Sequence, residues 1–162
     1  VAVQVNIGAP WLERTFGVLT DADMTATVAA AVSGTRLATK GLLTGRHRSS
    51  GSDILTVVST SGVPGWDLTG GSVPFYAAKH GQSGFSDKLR YELRGTGIRV
   101  SAVYPPDFDD ADPTGPDWER AQDDGAKISN REVVSTLLFM LAAPRTCSFP
   151  VVILDGMPAV SA

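Results

Sequence analysis

The sequence predicts an open, doubly wound parallel α/β sheet, and three observations carry that prediction. Short apolar runs and longer helical stretches alternate four times along the chain. The runs are continuously apolar rather than alternating, as in Ile54-Leu55-Thr56-Val57-Val58, which marks strands buried on both faces. Each run ends in a turn or proline cluster, where a parallel sheet passes its chain to the next connection.

The elements follow in order. Val1 to Val5 reads as a first strand, feeding the turn cluster Asn6-Ile7-Gly8-Ala9-Pro10. Thr20 is a candidate N-cap, and Asp21 and Asp23 place acidic charge in the first turn of a helix. That helix runs through Met24, Val28, Ala31, Val32, Leu37 and Leu42, and Gly34 within it predicts close packing against a neighbour. Arg46-His47-Arg48 reads as a solvated basic turn. Ile54 to Val58 is a second strand, its β-branched residues suited to a pleated surface. A loop follows from Gly62 to Gly71. A helix from Phe75 to Leu93 is stopped by Gly95 and Gly97. Ile98 to Tyr104 is a third strand, ended by Pro105-Pro106. The acidic, Pro- and Gly-rich stretch 107–125 predicts a long surface segment, with one helical turn around Trp118 and the role of a mobile lid. Asn130 is expected to cap a helix carrying Val133, Val134, Leu137, Leu138 and Leu141, closed by Pro144. Phe149 to Leu154 is the fourth strand.

Composition narrows the function classes. A chain of 162 residues suits one domain with a real core. With 43% hydrophobic and 19% charged residues it reads as soluble and globular. A net charge of -3 argues against nucleic-acid or anionic-membrane partners, which call for basic patches. The apolar run Leu137 to Ala143 falls far short of the ~20 residues of a membrane span. No signal peptide is read at the start. The single cysteine, Cys147, permits no internal disulfide and fits a reducing, cytoplasmic compartment. With His47, His80 and Cys147 scattered, no metal site is expected.

The chemistry is expected at the carboxyl ends of the strands, where open α/β sheets bind ligands. Asn6, Ser59 and Pro105 fall at such ends, and Tyr76 and Lys79 enter the helix after the second strand. A tyrosine of pKa about 10 is a poor acid/base near neutrality, and moving it to about 7 requires roughly 4 kcal/mol of phenolate stabilisation. One ammonium about 4 Å away supplies that order of energy at an effective dielectric of about 20. A Tyr/Lys pair on one helix face has this physical purpose. Lys79 stands at i+3 from Tyr76, and His80 holds i+4; both spacings share a helix face. The reading that competes with catalysis is a tyrosine that merely packs, and for Ser59 a serine that merely caps its turn.

Taken together, these stretches resemble the short-chain dehydrogenase/reductase family. They are Val57-Val58-Ser59-Thr60-Ser61-Gly62, then Val73 to Arg90, then Gly97 to Pro106. The resemblance spans nearly all of Val1 to Met157 and corresponds to the central and C-terminal part of that family's Rossmann-like fold. It implies hydride transfer between NAD or NADP and a carbonyl or alcohol, with Tyr76 as general acid/base. Lys79 would lower the tyrosine's pKa and hold the nicotinamide ribose, and Ser59 would position the substrate, with Ser61 as a competitor. Asn6-Ile7-Gly8 resembles the family's Asn-Ala-Gly turn, and Pro105-Pro106-Asp107 its Pro-Gly turn near the nicotinamide. The cofactor-contacting set is therefore Asn6, Gly8, Tyr76, Lys79, Pro105 and Pro106.

The departures are specific. The family's Tyr/Lys spacing is i, i+4. Its helix asparagine aligns with Ala31, and a threonine of many members aligns with Asp110. No Thr-Gly-x-x-x-Gly-x-Gly or Gly-x-Gly-x-x-Gly turn occurs in the sequence, although such a turn lets backbone donors approach a pyrophosphate. The expectation is one Rossmann-like domain over 1–162 that lacks its N-terminal βαβ units and leaves its first strand at an exposed edge. Two other functions fit the same residues: a catalytically degenerate interaction or regulatory protein, and a non-redox enzyme using Ser59 and Tyr76. The resemblance also implies a homo-dimer or homo-tetramer paired through the two long helices, whose faces at Ala30, Gly34, Leu37, Phe85 and Leu89 suit it; burial of those faces against their own sheet is the competing and compatible reading.

Overall fold

The computed structural model describes residues 2–44, 51–66, 70–116, 118 and 128–156. Four parallel strands form its main sheet: β1 (Val3–Ile7), β2 (Asp53–Val57), β3 (Arg99–Tyr104) and β6 (Val151–Ile153), side by side in that order. The register sets Asn6 against Thr56, and Thr56 against Ala102, so the strands share one carboxyl edge. Two further strands, β4 (Phe108–Asp109) and β5 (Ile128–Ser129), make a separate parallel pair.

Helices cover both faces of the sheet, as a doubly wound architecture requires. On one face, α2 (Gly34–Thr44) and α3 (Val73–Glu92) lay Leu42, Leu43, Leu89 and Leu93 over Ile54, Ile98 and Val100. On the other, α4 (Asn130–Ala142) sets Leu137 and Met140 against Leu55, Val57 and Val103. Strand β2 is buried at every position. Strand β1 lies at the edge, with Val3, Val5 and Ile7 exposed on the α4 side.

The long first helix is in fact three segments. Helix α1 (Asp21–Val28) begins with a reciprocal cap, Thr20 Oγ1 accepting from the Asp23 amide and Asp23 from the Thr20 amide. It passes through a π-helical stretch, Ala29–Ser33, directly into α2. The role predicted for Gly34 belongs elsewhere: a Cβ there would meet nothing within 4 Å. Gly81 is the close approach, where a Cβ would lie 2.7 Å from Val32 Cγ2. The π stretch and α3 therefore meet backbone to side chain at Gly81.

The capping expectation for the last helix is also corrected. Ser129, not Asn130, begins α4, its amide and hydroxyl both donating to Glu132. Asn130 instead donates to Asp110 and to the carbonyl of Ala111, tying α4 to the segment after β4. Leu89 packs on its own sheet, the burial that is compatible with helix pairing. The basic turn Arg46-His47-Arg48 and most of the helical turn around Trp118 lie outside the described residues.

At the amino end of the sheet, Asp53 is buried and accepts from two arginines, Arg99 Nε at 2.6 Å and Arg145 Nη1 at 2.9 and 3.0 Å. Arg99 also donates to the carbonyls of Leu141, Ala143 and Cys147, and Arg145 to those of Ser52 and Gly97. The two guanidiniums thus stitch the end of α4 to the starts of β2 and β3.

Candidate active site

The carboxyl edge of β1, β2 and β3 brings together the residues expected there. Asn6 is buried at the end of β1, its Nδ2 donating to Thr56 Oγ1 on β2 and its Oδ1 accepting from Gln4. Gly8 follows with φ 107°, in the region that favours glycine. Beyond β2, the Val58 amide bonds the carbonyl of Val103 and the Thr60 amide bonds that of Pro105. Ser59 and Pro105 are thereby held on adjacent strand ends. Pro106 is half-buried beside them.

Ser59 has φ 137° and ψ 154°, a conformation side chains avoid at a cost of about 1–3 kcal/mol. Its Oγ accepts from the Ser61 amide at 3.2 Å, so the turn-capping role is real. The backbone strain is a separate matter and sets the direction in which Ser59 leaves the sheet. The 3-10 turn Thr60–Gly62 then packs closely against α3. A Cβ on Gly62 would lie 2.5 Å from Val58 Cγ1 and 2.9 Å from the carbonyl oxygen of Lys79. Only glycine permits that approach, and it locks the serine turn to the helix carrying Tyr76 and Lys79.

Helix α3 turns a buried face made of Phe75, Ala78, Lys79, Gln82 and Ser86, the spacing of one helical stripe. Phe75 is 6% exposed, Lys79 5%, and Tyr76 is half-buried. At 3.6 residues per turn, Phe75 is offset from Lys79 by about 40° around the axis and Tyr76 by about 60° the other way. The ammonium of Lys79 lies 5.4 Å from the centroid of Phe75, and no carboxylate pairs with it among the described residues. Burial lowers its pKa from 10.5 to about 8. His80 turns outward, its Nδ1 3.0 Å from the carbonyl of Tyr76. Trp11 packs edge-on to Phe75 at 4.7 Å, with its ring against Gly71.

Gln82 is a site residue the sequence argument passed over. It is 1% exposed, and its Nε2 faces the carbonyls of Gly8 (3.4 Å) and Ala31 (3.3 Å) and the hydroxyl of Thr35 (3.1 Å). It joins the β1 turn, the π stretch and α2 to the helix bearing Lys79. Ala31, which has no polar side chain, is fully buried and takes part through its carbonyl. A second tyrosine, Tyr104, is buried with its hydroxyl 2.8 Å from Ser83. Burial raises its pKa, which sets it apart from acid/base work. Among the described residues, no cluster of three or more His, Cys, Asp or Glu is placed to hold a metal ion, and no helix is long and apolar enough to cross a membrane.

Comparison with known proteins accords with this layout. The family profile for short chain dehydrogenases matches residues 5–120. No curated protein matches the chain. Among solved structures, a short-chain dehydrogenase from Leptospira borgpetersenii with bound NAD+ is 18% identical, with a TM-score of 0.72 over 95% of this chain and 63% of its own. Acetoin dehydrogenase from Salmonella typhimurium is 20% identical, with a TM-score of 0.76 over 96% of this chain and 64% of its own. L-Sorbose reductase from Gluconobacter frateurii, complexed with NADPH and L-sorbose, is 20% identical, with a TM-score of 0.74 over 99% of this chain and 67% of its own. The chain therefore spans less than two thirds of the length of the first two. At these identities the likeness is one of fold, a Rossmann-like parallel sheet flanked by helices. With the family profile covering residues 5–120, well over half of its length, the chain belongs to the short-chain dehydrogenase family.

Proposed function

We propose that the chain carries the catalytic half of an oxidoreductase that moves a hydride between NAD or NADP and a carbonyl or alcohol. The observation that supports it is one convergence. Asn6, Ser59 and Pro105 stand in a row at the carboxyl edge, and the Ser59 turn is locked through Gly62 to the Tyr76/Lys79 helix. In this reading Ser59 holds the carbonyl oxygen, Tyr76 gives or takes the proton there, and the Lys79 cation favours the phenolate.

The nicotinamide end of a cofactor fits the residues present. Gly8 leaves open space above the end of β1, Lys79 supplies a cation for a ribose, and Pro105 and Pro106 wall the third strand end. The bound cofactor would supply or accept the hydride. A glycine-rich turn for its pyrophosphate is not among the 162 residues, so this unit is proposed as the C-terminal part of the Rossmann-like fold. The reading carries with it a cytoplasmic location and a homo-dimer or homo-tetramer. Stretch 107–125 is proposed as the substrate lid.

A second reading, a catalytically degenerate interaction or regulatory protein, is favoured by one observation. The residue four places before Lys79 is Phe75, and the ammonium lies over that ring. The test is reduced-nicotinamide absorbance with a panel of small ketones, on the natural chain and on a variant with one alanine inserted after Ala78. The insertion gives Tyr76 the i, i+4 relation to Lys79. Turnover in the natural chain that Tyr76→Phe abolishes supports the enzyme. Turnover gained only after insertion points to a damaged oxidoreductase site and not to a change of role, whereas no dinucleotide binding by the intact protein supports the degenerate reading.

A further inference from the structure

At the amino end of the sheet, away from the edge that carries Asn6, Ser59 and Pro105, lies an open cleft of about 840 Å3. Small-molecule sites run from about 300 to 1,000 Å3. Arg90, Arg94, Arg99 and Arg145 line it, Leu93 and Ile98 form part of its apolar wall, and no Asp or Glu is among its lining residues. Arg99 and Arg145 share the one carboxylate of Asp53, and Arg90 pairs with Asp87 at 3.1 Å. The Arg94 side chain is exposed and has no hydrogen-bond or carboxylate partner among the described residues; its guanidinium lies 5.5 Å from the ring centroid of Tyr91. Four guanidiniums thus meet two carboxylates, a local reversal of sign in a chain of net charge -3. Cations commonly complement the carbonyls at a helix C-terminus, but the end of α3 does not claim these. The carbonyls of Leu89, Tyr91 and Leu93 are already taken by the amides of Leu93, Arg94 and Thr96.

We infer that this cleft binds a small phosphomonoester with an apolar body. Such a group carries a charge of about -1.5 to -2 near neutral pH, which matches the two guanidinium charges left over. Its oxygens suit the planar fork of an arginine, which donates two parallel bonds at once. Arg99 and Arg145 are held in place by Asp53 and by main-chain carbonyls, so they contribute a fixed positive floor. Arg94, and the Arg90 donors not spent on Asp87, supply the free hydrogen bonds. Leu93 and Ile98 offer apolar surface to the rest of the ligand. None of these residues belongs to the proposed hydride site, so the two readings stand or fall separately.

Calorimetric titration of the full chain with phenyl phosphate, near neutral pH and at low salt, decides it. Saturable binding with a Kd under about 1 mM is expected. Arg94→Gln removes a guanidinium that has no structural partner, and should weaken binding about tenfold while leaving the fold intact. Arg36→Gln removes an exposed arginine of α2 that lies outside the cleft, and should leave binding unchanged. Benzenesulfonate, of similar shape but a single charge, should bind several-fold more weakly than phenyl phosphate. No saturation by about 10 mM overturns the inference. So does an equal loss in Arg36→Gln, which would make the attraction a property of total charge. Undiminished binding in Arg94→Gln overturns it too, because the anion would then sit elsewhere, the carboxyl edge of the sheet included. Benzenesulfonate binding as tightly as phenyl phosphate would refute the match to a doubly charged group.

Discussion

Replacing Lys79 by methionine should make the protein more stable while removing its main candidate cation. Burial holds the Lys79 ammonium at a pKa of about 8 against 10.5 for a free lysine, a difference equivalent to about 3 kcal/mol. The folded value lies below the unfolded one. Between the two, the unfolded chain therefore keeps a proton that the folded chain has released, and stability rises with pH across the window from about 8 to 10.5. Below that window both states are charged and the folded state bears the full cost. Methionine has similar length and no charge, so Lys79→Met is expected to stabilise the fold near pH 7 by up to about 3 kcal/mol. For a chain of this size that is a rise in Tm on the order of 6–10 °C. Urea unfolding at pH 7 and at pH 9.5 provides the check. The natural protein should gain about 2 kcal/mol between those conditions, and Lys79→Met should lack that gain. Parallel pH dependences for the two proteins would show that Lys79 is not carrying a buried charge.

Two further substitutions probe the frame that holds the site. Gly62→Ala drives a methyl group into Val58 and the Lys79 carbonyl and should cost about 1–3 kcal/mol in a urea melt; an unchanged midpoint would mean the serine turn is not locked to α3. Asp53→Ala leaves Arg99 and Arg145 without their shared carboxylate and should cost about 3–5 kcal/mol, measured the same way. A loss under ~1 kcal/mol would mean the network is slack.

The strands were legible because burial on both faces writes itself as a continuous apolar run, and Ile54 to Val58 needed no other signal. Their limits were less so. Asp53 opens β2 because two arginines, far away in sequence, neutralise it there. Strands β4 and β5 are two residues each, too short for any periodicity. The π stretch was hidden because Ala29-Ala30-Ala31-Val32-Ser33 reads as ordinary helix. Glycine identity alone did not separate Gly34, which touches nothing, from Gly81 and Gly62, which permit close approach. In the site, spacing showed that Tyr76 and Lys79 share a side of α3. It could not show that Phe75 takes the inner place. That choice is tertiary: a phenyl ring buries without a hydroxyl to satisfy, and Trp11 from another part of the chain packs on it. Gln82 lay on the same predicted stripe, but its partners come from β1, the π stretch and α2, which spacing within one helix does not reveal.

The link from Asp53 to Arg99 spans 46 residues and that to Arg145 spans 92, which has a consequence for the chain during its synthesis. At ~5–20 residues per second, the Asp53 carboxylate waits roughly 5–20 s after its own translation for its second guanidinium. Helix α4 arrives in the same interval, so Leu55, Val57 and Val103 have no cover on that side while β1, β2 and β3 are already long enough to pair. A half-covered parallel sheet with an apolar face is the species a nascent-chain chaperone grips. Arg145 follows just past the end of α4, so the helix that covers that face and the second guanidinium for Asp53 reach the sheet from one stretch of chain.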